Sequence, residues 1–257
     1  MKTFAGAYVN LLKTSIGSGV LSFPYLFKTY GIVVTVFLTL ITGLFATTGL
    51  VLLMICSQVI GRTADLSKLA AQCFPYARIF VDLAVFLKCF GVSLSYVIIT
   101  RQLLPPILES LFERAPDVNP SLFASPSITL LIFLGFVGPF TYFSKLDKLK
   151  YTSFVGIFSI VLVILAAVAR YIHTDTTDVK IAFFLPITID WLAGMGKFIF
   201  SFTCHQNIFA VNAEIEDNSL PKMKKLICTV SMSSFTLYMT FGWQTTCFTD
   251  LRFLKMS

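Results

Sequence analysis

The stretch Gly17-Ser18-Gly19-Val20-Leu21-Ser22-Phe23-Pro24 lies in the middle of the first apolar segment of the chain. Its two glycines and its proline disfavour a continuous helix, because Gly costs about 1 kcal/mol and Pro about 3 kcal/mol relative to Ala in a helix interior. In a bilayer the freed N–H and C=O groups have no water to bond, so a break persists where the backbone is buried in protein or lines a polar cavity. The stretch therefore indicates a binding site at mid-membrane. A tolerated kink is the alternative.

The composition around this stretch is that of a membrane protein. Of the 257 residues, 56% are hydrophobic and only 13% are charged, whereas a soluble domain carries about 25% charged residues. A soluble all-helical domain would need more polar surface than this charge supplies. The sequence predicts an all-α polytopic membrane protein that crosses the lipid bilayer several times.

The net charge of +7 does not indicate a nucleic-acid partner. The Lys and Arg residues lie in short loops between apolar segments, as the positive-inside rule expects. The six cysteines form no CxxC motif, and most lie inside apolar segments, so they are interpreted as small packing residues. We predict no metal site, no cofactor and no catalytic residue.

The hydropathy pattern divides the chain into seven predicted spans. They cover about residues 4–27, 31–58, 79–104, 127–144, 151–169, 191–213 and 226–249. A polar, proline-rich external loop is expected after the third span, from Pro105 onward. Ten loop Lys and Arg residues fall on the side of the N-terminus and seven on the other, so the N-terminus is predicted to be cytosolic.

The sixth span repeats the peculiarity of the first. Its middle, Thr203-Cys204-His205-Gln206-Asn207, places five consecutive polar or thiol residues at membrane depth. Corresponding breaks in the two halves of a chain are the best sequence indication of an inverted-repeat transporter. The alternative is two unrelated kinks in a seven-helix bundle.

Four segments, in order, resemble the amino acid/auxin permease family. The segment 10–24 resembles the NLxKxxxGxGxLxxP pattern of the family's first helix, and 88–96 resembles its third helix. The segment 139–153 resembles its fourth loop, and 202–209, followed by Glu214, resembles its sixth helix. Within the family, the chain is similar to fungal vacuolar amino acid transporters and to sodium-coupled neutral amino acid transporters.

This resemblance implies a partial LeuT-type inverted-repeat fold over residues 1–257. The chain would hold the first repeat of five helices and the first two helices of the second, where the family usually has eleven spans. The tail from Gln244 does not resemble the family. We therefore expect an incomplete transporter domain that does not transport alone, or that needs a partner chain supplying the missing helices.

The resemblance also implies a substrate site between the broken first and sixth helices. The amides of Gly17, Ser18 and Gly19 would hold the substrate carboxylate, in keeping with the affinity of a helix N-terminus for anions. Thr203 and Asn207 would cap the unwound backbone or contact the substrate amine.

Three further residues, Lys13, Lys88 and His205, are candidates for ion or proton coupling. Lys13 stands where the sodium-coupled relatives carry an asparagine that binds the cation, so its ammonium would fill that site and repel sodium. Its alternative is snorkelling to the cytosolic face. Histidine is the side chain that ordinarily changes charge near neutral pH, so His205 is a candidate proton carrier. Its alternative is a hydrogen-bonded packing residue.

Lys88 and Glu214 complete the predicted residues. Lys88 shares a helix face with Gly91 and Ser95, and would pair with carbonyls of a broken helix or serve helix packing alone. Glu214 would form an inner gate with Lys222 or Lys225, unless it is simply a solvated helix end.

The function expected from these features is not enzymatic. We predict a proton-coupled, sodium-independent carrier of neutral or basic amino acids in the vacuolar or plasma membrane, with an amino acid and protons as its partners. The alternatives are a seven-helix receptor, which the two breaks argue against, and a non-transporting remnant or binding subunit.

Overall fold

A computed structural model of the chain describes residues 3–17, 19–112, 125–139, 156, 158–159, 161–166, 168–169, 183, 185–186 and 189–254. Ser18, the 145–150 loop and parts of the fourth and fifth predicted spans lie outside the described residues. The chain divides into two compact units, and the first comprises Met1–Asp65 and Lys150–Ser257. The second unit comprises Leu66–Leu149.

Every regular element in the described part of the chain is helical, so the all-α class predicted from the sequence is confirmed. In chain order the α-helices are α1 Phe4–Ile16, α2 Phe23–Tyr30, α3 Ile32–Ile60, α4 Leu66–Cys73, α5 Ala77–Phe112, α6 Pro126–Val137, α7 Ile189–Ser201, α8 Asn207–Glu214 and α9 Leu220–Leu254. A short 3₁₀ helix, Gly19–Ser22, separates α1 from α2.

The break in the first span lies where the sequence predicts it. Gly17 has φ +40° and ψ −136°, a conformation that favours glycine and that ends α1. Pro24 lies in the first turn of α2, where its missing N–H costs no helix hydrogen bond. Gly31, with φ +77°, then turns the chain into α3.

The second predicted break is also confirmed, because α7 ends at Ser201 and α8 begins at Asn207. Residues 202–206 are not helical, and Phe202, His205 and Gln206 lie in turns. The two breaks thus belong to the same unit. An inverted-repeat relation between them stays a prediction.

The core of the first unit forms around α9, which packs against α1, α2 and α3. Tyr238 of α9 is fully buried and stacks on Phe23 of α2, with ring centroids 4.3 Å apart. Phe202, in the second break, stands edge-on to Tyr238 at 5.3 Å. One aromatic residue of α9 therefore contacts the neighbourhood of both breaks.

The half-helices α2 and α7 pack on each other through a second aromatic group. Tyr30 lies 4.7 Å from Trp191 and 5.2 Å from Phe198 between ring centroids, and its hydroxyl donates to the Trp191 carbonyl. Gly194 admits this packing, since a Cβ there would collide with the Tyr30 ring.

The second unit contains α4, α5 and α6, in which α5 packs against both of the others. The prediction that a loop begins at Pro105 is wrong, because α5 continues through Pro105 and Pro106 to Phe112. Proline removes helix hydrogen bonds but keeps helical φ, and membrane helices tolerate it. The short helix α4 was not predicted from the sequence.

Among the described residues, two helices are long and apolar enough to cross a bilayer, over Ile32–Ile60 and Ala77–Ser110. The second exposes large apolar side chains along its length, including Phe80, Phe86 and Phe90. The seven predicted spans stay a prediction. The last of them is extended in the structure, since α9 starts at Leu220 instead of about residue 226.

Candidate functional site

The two breaks touch at Gly19 and Ser201. A Cβ placed on Gly19 would lie 3.1 Å from the Ser201 Cα and 3.2 Å from its Oγ. Both residues are buried, and Ser201 ends α7 with its hydroxyl donating to the Lys197 carbonyl at 2.7 Å. The close approach of these two backbones favours glycine at residue 19, because a side chain there would have to displace Ser201 slightly.

Tyr238 joins the ends of the two half-helices that precede the breaks. Its hydroxyl lies 2.8 Å from the Ser15 carbonyl oxygen of α1 and 2.5 Å from the Ser201 carbonyl oxygen of α7. Carbonyls in the last turn of a helix have no partner within the helix. One phenolic O–H thus serves two carbonyls that the breaks would otherwise leave without a donor. Ser234, one turn before Tyr238, adds a hydroxyl bond of 3.2 Å to the Ser15 side chain.

The second break is tied to the first span by Asn207. Its side-chain amide donates to the Thr14 hydroxyl at 2.7 Å, and Thr14 donates to the Asn10 carbonyl at 2.9 Å. The Thr203 hydroxyl donates to the Ile199 carbonyl of α7 at 2.8 Å. Both side chains therefore engage the unwound region, and Thr203 satisfies an end carbonyl of its own half-helix.

The predicted carboxylate-binding amides differ in their surroundings. The Gly17 amide donates to the Lys13 carbonyl at 3.0 Å and so completes the last turn of α1. Gly19 is buried at the contact with Ser201. Ser18 lies outside the described residues. At Gly17, then, the amide is already engaged.

A cavity of about 150 Å³ lies beside the first break. Its wall is almost entirely aliphatic and aromatic. The lining residues are Gly17, Val20, Leu21, Ser159, Val163, Ile164 and Phe241. A space of this size and character holds a small apolar group such as an amino acid side chain.

Three cationic or titratable side chains lie near the breaks. Lys13 packs against Gly156, where a Cβ would lie 3.2 Å from the lysine Cε. The Nζ of Lys197 sits over the ring of Tyr25, 3.4 Å from its centroid. The Nε2 of His205 lies against Gly49 of α3, 3.1 Å from a Cβ built there. Among the described residues, no cluster of His, Cys, Asp and Glu could hold a metal ion.

The far end of α8 is held by Arg62, which follows the end of α3. Its guanidinium donates to the Ile215 carbonyl at 2.8 Å and to the Glu216 carbonyl at 2.6 Å. It also reaches the Ala213 carbonyl at 3.5 Å. Arg62 thereby supplies donors to carbonyls that the end of the helix leaves open.

The segment between α8 and α9 carries its own ion pair, in which Lys222 contacts Asp217 at 3.1 Å. Hydrogen bonds from the side chain and backbone of Ser219, and then the Lys222 ammonium, lower the pKa of Asp217 to about 2. Lys222 thus pairs with Asp217 in this segment. A gating role for Glu214 stays a prediction.

The family described as "Transmembrane amino acid transporter protein" matches residues 2–244 of the chain. The chain belongs to this family. The resemblance drawn from the four sequence segments is thus confirmed, and with it the chain is a multi-pass membrane protein.

The similar proteins include several fungal members of the transporter family. "Vacuolar amino acid transporter 5" of Schizosaccharomyces pombe is 29% identical over 92% of this chain and 56% of its own length. "Vacuolar amino acid transporter 6" of Saccharomyces cerevisiae is 31% identical over 91% of this chain and 53% of its own length. The chain thus spans about half the length of the curated relatives that it matches. No solved structure matches the chain.

The structure of this transporter-family chain brings together only some of the predicted site residues. Gly17, Gly19, Thr203 and Asn207 all lie at or beside the two breaks. Lys88 lies on α5, in the second unit, where it is half-buried beside an open face at Gly91. Its pairing with a broken helix stays a prediction.

Sequence reasoning missed three residues that hold the site together. Tyr238 and Tyr25 are ordinary apolar-segment aromatics in the sequence, and Arg62 is interpreted there only as a loop charge. The signal that could have singled out Arg62 is its place directly after Gly61, which ends α3 with φ +83°.

Proposed function

We propose that this chain is the substrate-binding part of an amino acid carrier and binds its substrate where the two breaks meet. The observation that carries the proposal is the contact of Gly19 with Ser201, which brings the two interrupted helices together within one unit. Interrupted helices that meet at membrane depth are the usual setting of a transporter substrate site.

The substrate would lie with its carboxylate at the first break and its side chain in the neighbouring cavity. The break precedes the N-terminus of α2, where the helix dipole favours an anion. Gly17 contributes to the cavity wall, so the two subsites adjoin. Because the Gly17 amide already bonds the Lys13 carbonyl, the amides of Ser18 and Gly19 are the proposed carboxylate donors.

We further propose that transport is driven by protons and is independent of sodium. Lys13 lies one turn before the break and packs against Gly156, so its ammonium places a fixed positive charge on this side of the site. A fixed ammonium repels a sodium ion from the same place. His205, beside Gly49 and next to the second break, is the proposed proton carrier.

The proposed setting is the vacuolar membrane, with the N-terminus in the cytosol. Similarity to the fungal vacuolar transporters supports the membrane, and the ten loop cations on the N-terminal side support the orientation. A glycosylation acceptor added after Ser257 should be modified, and one placed in the 145–150 loop should not. The opposite pattern would overturn the orientation.

Uptake by proteoliposomes tests the function, with the chain reconstituted together with a partner that supplies the further helices it is expected to need. The expected result is accumulation of radiolabelled leucine that follows an imposed pH gradient, collapses with a protonophore, and is unchanged when choline replaces sodium. Lys13→Asn should introduce a dependence on sodium, whereas Lys28→Asn, a matched loss of charge on α2, should not. Uptake that needs sodium and survives the protonophore would contradict the proposed coupling.

A further inference from the structure

Lys197 is a charged residue near the breaks to which neither the sequence motifs nor the proposed coupling assigns a task. It lies on α7, and its carbonyl accepts the Ser201 hydroxyl one turn later. Ser201 is the residue that contacts Gly19. The lysine therefore stands one helical turn from the point where the two breaks meet.

The position of the Lys197 ammonium is defined by an aromatic ring of the opposite half-helix. Its Nζ lies 3.4 Å from the centroid of Tyr25 on α2, the geometry of a cation–π interaction. Tyr25 is four residues after Leu21, which lines the cavity. Each partner of the pair is thus one turn from a residue of the proposed substrate site.

Acidic side chains are nearly absent from the segments that surround the site. The sequence has no Asp or Glu in 4–30, 151–169 or 220–249, and Asp190 alone in 189–213. Asp190 is seven residues before Lys197, about 10 Å along the helix. These four segments, which include Lys13 before the first break, therefore carry a net positive charge.

We propose that Lys197, held against the Tyr25 ring, is a specificity-determining residue that excludes amino acids with a cationic side chain. The inference rests on the proposed substrate site. The α-ammonium and α-carboxylate of every amino acid cancel in charge, so the side chain decides whether the substrate is repelled. Repulsion between like charges is strong where water is scarce, and the described residues of the cavity wall include no acidic side chain that could serve as a counter-ion.

The test compares two ligands that differ only in the relevant charge. Norleucine has the four-carbon stem of lysine without the terminal ammonium. The 257-residue chain in lipid nanodiscs is loaded with radiolabelled leucine, and norleucine or lysine is added as competitor. In the unaltered chain lysine should compete at least about tenfold less well than norleucine.

Two substitutions test whether the Lys197–Tyr25 pair causes the discrimination between lysine and norleucine. Lys197→Gln should narrow the difference between the two competitors to about threefold or less, whereas Lys28→Gln, an equal loss of charge on the exposed end of α2, should leave it unchanged. Tyr25→Leu removes the ring that holds the Lys197 ammonium, and it should also narrow the difference between lysine and norleucine. If Lys197→Gln fails to bind leucine at all, Tyr25→Leu decides the question.

The outcomes separate this inference from the proposed function. Leucine binding with equal competition by lysine and norleucine would overturn the role of Lys197 and leave the carrier proposal standing. The role of Lys197 would also be overturned if lysine still competed as much less well than norleucine in both Lys197→Gln and Tyr25→Leu as in the unaltered chain. Absence of binding for any amino acid in the unaltered, folded chain would overturn both.

Discussion

The hydroxyl of Tyr238 lies 2.8 Å from the carbonyl oxygen of Ser15, in the last turn before the first break. The same hydroxyl lies 2.5 Å from the Ser201 carbonyl oxygen at the second break. The phenol therefore fixes the ends of two half-helices relative to each other.

Replacing Tyr238 with Phe should destabilise the first unit. The change keeps the stacking on Phe23 but leaves buried carbonyls without their donor, which costs about 1–3 kcal/mol. The measurement is thermal unfolding in detergent followed by tryptophan fluorescence. Tyr8→Phe, which removes a part-buried hydroxyl bond to Ser233, is the control and should cost less. Equal effects of the two changes would contradict the special role of Tyr238.

Replacing Gly19 with Ala should destabilise the contact between the breaks. The added methyl group would lie 3.1 Å from the Ser201 Cα, and overpacking of this kind costs about 1–3 kcal/mol. Gly196→Ala is the matched control on α7, since a Cβ there meets nothing within 4 Å. Thermal unfolding should show a loss for the first variant and none for the second.

Because Gly19 contacts Ser201, a substitution of Gly19 can reduce substrate binding in two ways. Gly19→Val would reduce binding through misplacement of Ser201 as well as through a blocked carboxylate site. The double variant Gly19→Ala with Ser201→Gly removes the clash with the serine side chain. It should recover part of the lost stability, and a further loss would contradict the steric explanation.

Replacing Arg62 with Ala should loosen the end of α8. Hydrogen bonds to a charged donor are worth about 1.5–3 kcal/mol each when buried, and partial exposure reduces the expected total to about 1–2 kcal/mol. Hydrogen exchange of the amides of α8 and Ile215 should accelerate correspondingly. Arg78→Ala, which breaks an exposed pair with Asp82 in the second unit, should leave that exchange unchanged.

The ion pair of Asp217 and Lys222 should resist acid. The pKa of Asp217 is lowered from 3.8 to about 2, so the carboxylate's contribution to stability is complete above about pH 4 and is lost as the pH falls through about 2. The stability difference between Asp217→Asn and the unaltered chain should thus be the same at about pH 8 and about pH 5. A carbon-13 titration of the Asp217 carboxyl gives the pKa directly, and a midpoint above 4 would contradict the expectation.

The positions of both breaks were predictable because their causes are local. Gly17, Gly19 and Pro24 disfavour a helix wherever they occur, and the polar run before Asn207 is unusual at membrane depth. The partners of the breaks were not predictable in the same way. Tyr238 reaches Ser15 and Ser201 only because of how α9 packs, and no periodicity within α9 encodes that contact.

The continuation of α5 past Pro105 shows that a local signal for a helix end can also mislead. Pro105 and Pro106 are local signals for a helix end, yet the helix runs to Phe112. Proline weakens a helix by removing donors, and the surroundings decide whether the remaining hydrogen bonds suffice. The Lys197–Tyr25 pair was not predictable, because the sequence of neither helix shows which residue of the other it contacts. Its meaning comes from two half-helices lying side by side.

Because Lys13 contacts Gly156, substitutions at these two positions are expected to depend on each other. A methyl group at residue 156 would lie 3.2 Å from the lysine Cε, so a larger residue there must displace the ammonium from its place beside the fifth span. Within the family, a long cationic side chain at the position of Lys13 should therefore occur together with a glycine at the position of residue 156. Family members with a short side chain at the position of Lys13 should tolerate residues larger than glycine at the position of residue 156. Evolution from the lysine–glycine pair to a short side chain with a larger residue at 156 would then require both substitutions.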